Sequence, residues 1–151
     1  MKPLDARNIE RFLPPHISAL CAGKITVFKT IDSTNSEAKR RLSCAENSAA
    51  EDPAALHGTV LIAEEQSGGR GRSGKSFFSP AGSGIYLSLI YVPDILEHKS
   101  AAEAAKSVFA LLVQFISHIH LFIGEHMAVI HQHPAPTMVV LAVKLPLPAA
   151  W

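Results

Sequence analysis

The feature that most constrains this chain is a glycine- and arginine-rich span between two β-forming runs. Residues 59–63 (TVLIA) and 85–92 (IYLSLIYV) are apolar and rich in β-branched and aromatic residues, so each predicts a strand. Between them stands GGRGRSGKS, residues 68–76. Counted from Gly69, it satisfies the G-x-x-x-x-G-K-[ST] pattern of a phosphate-binding P-loop. A P-loop needs a helix beginning at its lysine, because the helix N-terminus supplies partial positive charge. Here Pro80, Gly82 and Gly84 come within nine residues of Ser76, and the next period is that of a strand. The P-loop reading therefore fails downstream of the lysine, where no helix can start.

Two readings of the span remain from residue types alone. In one, the glycines at 68, 69, 71 and 74 bring the backbone close to a ligand, and Arg70 and Arg72 grip a carboxylate or phosphate through paired hydrogen bonds. Lys75 adds a third positive charge. In the other, RGR is a solvated turn or an RNA-contacting segment, although aromatics are not interleaved with it.

Local pattern predicts further elements. Asp5 predicts an N-cap for a helix bearing Ile9, Phe12 and Leu13, stopped at Pro14-Pro15. Residues 25–30 (ITVFKT) predict a strand. Thr34 and Glu37 read as a capping box opening a helix from about Asn35 into the Arg41-Leu42 region. Residues 43–58 are small, polar and acidic and read as a surface loop. Ser100 and Glu103 open an Ala-rich helix carrying Val108, Leu111, Leu112 and Phe115.

With 151 residues the chain is long enough for one domain with a core, and its net charge of +1 gives no field that would draw nucleic acid or an anionic membrane. Two cysteines, Cys21 and Cys44, make no disulfide framework and fit a reducing cytoplasm. The N-terminus has no apolar signal region. Composition breaks at residue 107. Residues 1–106 hold thirteen of the fourteen Lys and Arg, whereas residues 107–151 carry only Glu125 and Lys144 as charges, and five of the eight histidines.

The run EEQSGGRGRSGKSFFSPAGSGIYLSL, Glu64 to Leu89, resembles the signature of biotin protein ligases: Glu-x-Gln, Gly-Arg-Gly-Arg-x-Gly, an aromatic, Ser-Pro, then a Gly-rich turn into a Tyr-Leu-Ser strand. The upstream DSTN, Asp32 to Asn35, resembles the family's other N-terminal signature at a compatible distance. The resemblance covers about residues 20–106. It implies an α+β fold like the catalytic domain of biotin and lipoate ligases, a mixed, largely antiparallel sheet with helices on one face, here incomplete. It implies a two-step reaction in which biotin and Mg-ATP give biotinyl-5'-adenylate, and the acyl group then passes to a lysine of a biotin carboxyl carrier domain. It implies that Ser33, Thr34, Asn35 and Gln66 hydrogen-bond the ureido region of biotin. Arg70, Gly71 and Arg72 would bind the carboxylate and the adenylate phosphate, while Gly69, Gly74 and Lys75 shape or charge the same loop. Phe77 stands where the family often has Trp, as an aromatic lid. Each role has a plainer counterpart: helix caps for Ser33 and Thr34, a strand end for Gln66, core for Phe77. No catalytic residue and no metal ligand is assigned.

The expected organisation is a linker and helix over residues 1–19, the N-terminal part of the catalytic domain over 20–106, and a foreign tail over 107–151. The start resembles the linker that would follow a DNA-binding domain, so no such domain is expected here, and a homodimer is left open. After residue 115 the family carries a strand ending in Lys-Trp-x-Asn-Asp, whose lysine contacts both biotin and phosphate. AVKLPLP, with Lys144, echoes that motif without its Trp or its amide and acidic partners. The tail is open to four readings: a frame-shifted or truncated product, genuine divergence, a short membrane helix, or a metal site at His118, His120, His126, His131 and His133. Charge and family pattern are lost together, which favours the frame shift. Missing central strands predict an exposed apolar sheet edge, poor stability and impaired activity. A non-catalytic binder of biotin or its adenylate, or a lipoate ligase-like protein, is the rival.

Overall fold

The computed structural model describes residues 4–69, 79, 81, 84–92, 110 and 113–114, with the backbone of 129–134 and 139–145. The chain opens with α1 (Ala6–Phe12), where Asp5 caps the helix by accepting the Asn8 N–H at 3.0 Å. The Pro14-Pro15 pair ends α1 as expected, but it also begins α2 (Pro15–Cys21). Proline at the first helical position lacks only an N–H that would have no partner there, so it starts a helix as readily as it stops one.

Next come β1 (Ile25–Ile31), α3 (Thr34–Glu46), a 3-10 turn (Pro53–Leu56), β2 (Thr59–Gln66) and β3 (Ile85–Tyr91). The expected 43–58 loop is thus shorter, because α3 runs four residues into it and Asp52 caps the 3-10 turn through the Ala54 N–H. The N-cap of α3 is Ser33, one residue before the expected Thr34, and Glu37 pairs with arginines instead of closing a capping box. Of the Ala-rich helix expected from Ser100, only Ala110, Val113 and Gln114 fall within the described residues, and they are helical.

β1 and β2 are parallel, joined by α3 as a crossover, with Ile25 opposite Val60 and Ile31 opposite Gln66. β3 is antiparallel to β2, with Ala63 opposite Tyr86. Two further strands, β4 (Val129–Pro134) and β5 (Val139–Leu145), complete a sheet of order β1-β2-β3-β5-β4. β5 runs antiparallel along the free side of β3, with Ile85 opposite Leu145 and Tyr91 opposite Val139. The open edge expected beside β3 is therefore covered. The tail's loss of charge concealed a β-branched run, VVLAV, that suits a strand buried between neighbours.

Helices cover both faces, not one. Ile9 of α1, Leu13 at its C-cap, and Ile17 and Cys21 of α2 pack with Val60, Ile62, Leu87 and Leu89. On the other face Ala38 and Leu42 of α3 pack with Leu61 and Ile90. Residues 60–63 and 85–91 are all buried, so β2 and β3 bury both faces, and a single helical layer would leave one of them wet. Burial pushes the Cys21 thiol up to about 11, with the Glu10 carboxylate adding to the effect against Lys24, so it stays a protonated core group.

Candidate functional site

The site forms where the parallel pair ends. β1 and β2 both point their carboxyl ends at the α3 N-terminus, and their pairing continues past the strands. Ser67 donates its N–H to the Ile31 carbonyl at 2.9 Å, and Gly68 donates to the Asp32 carbonyl at 2.8 Å. A Cβ on Gly68 would lie 3.4 Å from that carbonyl oxygen, an ordinary contact distance. The DSTN turn and the root of the Gly/Arg span are thus adjacent.

Gln66 joins them. Its Oε1 accepts the Thr34 N–H at 2.8 Å and the Thr34 hydroxyl at 3.2 Å. Its Nε2 donates to Ser79 Oγ at 3.2 Å, and its backbone N–H donates to the Ser79 carbonyl at 2.9 Å in an isolated antiparallel bridge. Ser79 stands at the far end of the Gly/Arg span, so both ends of that span meet at Gln66. Ser88, wholly buried in β3, donates to Thr34 Oγ1 at 2.9 Å.

These bonds define what each predicted residue has left to offer. Thr34 has both its N–H and its O–H engaged inside the protein, and the carbonyl half of the Gln66 amide is taken up by Thr34. One Gln66 N–H has no bond among the described residues. Ser33 is 2% exposed, and its Oγ accepts the Ser36 N–H at 3.4 Å, which leaves its own proton to donate. Asn35 Oδ1 is buried with no donor among the described residues, a state that costs about 1–3 kcal/mol. Gly69 is buried beside the turn. Arg70, Gly71, Arg72, Gly74, Lys75 and Phe77 lie outside the described residues.

Sequence reasoning missed Ser79 and Ser88, although a lone serine inside IYLSLIYV signals a buried hydroxyl in need of a partner. It also missed a charge cluster on the outer side of the turn. Arg40 holds Asp32 through two bonds of 2.8 Å and reaches Glu37 at 3.0 Å, while Arg41 bonds the other Glu37 oxygen at 3.0 Å. The Arg40 hydrogen bonds hold the Asp32 carboxyl at about 2. For Glu37, burial opposes ionisation, but the bonds from Arg41 and Arg40 prevail and lower it. Lys144, the lysine of the echoed motif, stands opposite Tyr86 in the sheet register, at the end where β3 leaves the Gly/Arg span.

Among the described residues no group of three or more His, Cys, Asp or Glu could hold a metal ion. No helix among them is long and apolar enough to cross a membrane.

The described residues thus form a βαβ crossover extended by antiparallel strands, with both ends of the Gly/Arg span held beside the crossover helix. The biotin/lipoate A/B protein ligase family model matches residues 27–142, from within β1 into β5, and the chain belongs to that family of enzymes. It is similar to the bifunctional ligase/repressor BirA of Escherichia coli, with 32% identity over 90 residues, 60% of this chain and 24% of that protein. It is also 35% identical over 74 residues to BirA of Salmonella typhimurium, which is 49% of this chain and 20% of that protein. The chain spans about a quarter or less of the length of these curated relatives. Its fold resembles the biotin protein ligase of Aquifex aeolicus in complex with biotin and ATP, with a TM-score of 0.50, 18% identity, and coverage of 81% of this chain and 51% of that one. It also resembles the biotin acetyl coenzyme A carboxylase synthetase of Helicobacter pylori with bound biotinylated ATP, with a TM-score of 0.52, 16% identity, and coverage of 80% and 59%.

Proposed function

We propose that this chain activates biotin with ATP and passes it to a lysine of a biotin carboxyl carrier domain. The observation that carries this reading is the set of free polar groups at the DSTN turn. The Ser33 hydroxyl and the second Gln66 N–H are donors, and Asn35 Oδ1 is an acceptor. A cyclic urea needs this combination, because its carbonyl accepts two donors and its ring N–H seeks an acceptor. The dithiolane ring of lipoate offers neither, and would leave Asn35 Oδ1 buried and unpaired. Within a family that includes both kinds of ligase, this favours biotin.

In the proposed reaction a biotin carboxylate oxygen attacks the α-phosphorus of ATP and pyrophosphate leaves. The carrier lysine amine then attacks the acyl carbon of the mixed anhydride and AMP leaves. Two anions must be joined, so Arg70 and Arg72 take the role of clamping carboxylate and phosphate, and Lys75 adds charge. Gly71 and Gly74 let that backbone lie close to the ligand, and Phe77 covers it. Magnesium, bound with ATP, would neutralise the departing pyrophosphate. The register of β5 also puts Lys144 opposite Tyr86, at this end of the sheet. Two cysteines that form no disulfide fit a cytoplasmic setting.

The test is incubation of the chain with biotin, ATP and magnesium, reading pyrophosphate release and transfer of biotin to a carrier domain. Pyrophosphate without transfer would confine the chain to the first half-reaction. Calorimetry with biotin and a non-hydrolysable adenylate analogue reads binding alone. Binding without turnover would establish the second reading, a non-catalytic biotin-adenylate binder. That reading is favoured by the missing Trp and amide or acidic partners beside Lys144.

A further inference from the structure

Ser88 lies between Leu87 and Leu89 in the middle of β3, with no solvent exposure. In the sheet it stands opposite Leu61 of β2 and Ala142 of β5. A hydroxyl in such surroundings must find a partner or cost stability. Its partner is Thr34 Oγ1, 54 residues earlier in sequence and 2.9 Å away.

Bond polarity along the chain from Ser88 is set at one point. The Thr34 backbone N–H can only donate, so the group 2.8 Å from it is the amide oxygen of Gln66. That oxygen carries no proton, so the Thr34 hydroxyl 3.2 Å away donates to it as well. With its proton engaged, Thr34 Oγ1 accepts from Ser88. The Gln66 Nε2 is then left to donate, to Ser79. The order is Ser88 to Thr34 to Gln66 to Ser79, each of the first three donating to the next.

We propose that Ser88 is a positioning residue that holds the Gln66 amide with its nitrogen toward the ligand side. Ser88 fills the acceptor position of the Thr34 hydroxyl, so both groups of Thr34 demand an oxygen from Gln66. Without Ser88, Thr34 Oγ1 is free to accept, so only the Thr34 N–H still demands an oxygen, and a flipped amide would give up that one bond in exchange for donating to Oγ1. The flipped amide would present a carbonyl where the proposed ligand also has one. The functional half of this inference rests on the biotin reading, whereas the orientation of Gln66 does not.

The test is nuclear magnetic resonance of the whole chain, with the Gln66 side-chain NH2 signals and the Thr34 amide exchange rate as readouts, and biotin as the titrant. In Ser88→Ala the Gln66 signals should shift, Thr34 exchange should quicken about fivefold, and the Kd for biotin should rise about fivefold, the value of one ordinary hydrogen bond. Ser88→Thr retains the hydroxyl and should restore the Gln66 signals. If Ser88→Ala does not fold, Thr34→Val breaks the next link and should shift the same signals. Where both fold, Ser88→Ala added to Thr34→Val should have no further effect on Kd, because a generic packing defect would add in full. Unchanged Gln66 signals in Ser88→Ala, or full additivity, would overturn the proposal. A wild-type chain that does not bind biotin would instead remove the proposed function, and the Gln66 signals would still judge Ser88.

Discussion

The two ends of the sheet are built on opposite terms. At the end away from the Gly/Arg span, the polar groups that meet there are paired within the protein. Lys24 donates its ammonium to the His57 carbonyl at 2.8 Å, Val92 donates its N–H to His57 Nδ1 at 3.1 Å, and the Gly58 N–H reaches the Ile90 carbonyl at 2.9 Å. His57 also stacks at a tilt on Tyr91, with centroids 4.8 Å apart. At the DSTN end, Gln66, Thr34, Ser79 and Ser88 bond one another, yet Asn35 Oδ1 beside them has no donor among the described residues. One end is closed on itself. The other holds polar groups in place and leaves one buried acceptor without a donor among the described residues, which costs stability.

Breaking the closed end should have the largest effect on folding. Gly58 has φ +80°, and a Cβ there would collide with the Leu20 carbonyl, so Gly58→Ala should cost about 2–4 kcal/mol by denaturant titration. If the ends are independent, the biotin affinity of the folded fraction should not change. A matching loss of affinity would show that they are coupled.

Asn35→Ala should do the reverse. It removes an unpaired buried acceptor, so the free protein should be no less stable, within about 0.5 kcal/mol, while biotin binding weakens about tenfold. A clear loss of stability without ligand would mean that Asn35 serves the fold.

Acid separates the ends again. Burial, with the Lys24 charge nearby, pushes the His57 pKa below its usual 6.5. The unfolded chain therefore binds the proton more readily. Stability should fall as pH drops below about 6.5, level off below the folded pKa, and respond less in His57→Gln. Melting curves from pH 8 to 5 would check this, and an equal response in His57→Gln would refute it.

The smallest effect belongs to the exposed Asp32–Arg40 pair. Asp32 has its folded pKa lowered to about 2, so its contribution is present above the ordinary carboxylate range near 3.8 and is lost as pH falls toward 2. Both partners are about half exposed, so Arg40→Ala should barely change melting at pH 7 in ordinary salt. A large change would place Arg40 in the support of the DSTN turn.

The two flanks of β3 differ as well. On one side β2 is locked by polar side chains and by helices on both faces. On the other, β5 lies beyond the compositional break at residue 107. If residues 107–151 arise from a shifted frame, the downstream DNA read in another frame should encode the Lys-Trp-x-Asn-Asp strand. If no such motif is there, the frame-shift reading falls.

Local pattern located much of this molecule. Strands at 25–30, 59–63 and 85–92, the Asp5 cap and the helix after DSTN were all legible, because alternation, β-branching and capping are short-range properties. The failure of the P-loop reading was legible as well, since a strand period in place of a helical one excludes that motif. Boundaries were less so, as the cap at Ser33 and the start of α2 at Pro15 show. A cap is chosen by which hydroxyl the fold leaves beside the helix, and a proline both ends and begins helices.

Sequence alone determined the residue types of the site, the order of its elements and its likeness to the family, because these reside in composition and spacing. Tertiary structure alone decided which polar groups are already engaged and which remain free. Residues 34, 66, 79 and 88 are far apart in the chain, and their bonds exist only once a parallel strand pair, a crossover helix and an antiparallel neighbour bring them within 3.2 Å. A hydrogen bond depends on distance and angle in space, and separation along the chain encodes neither.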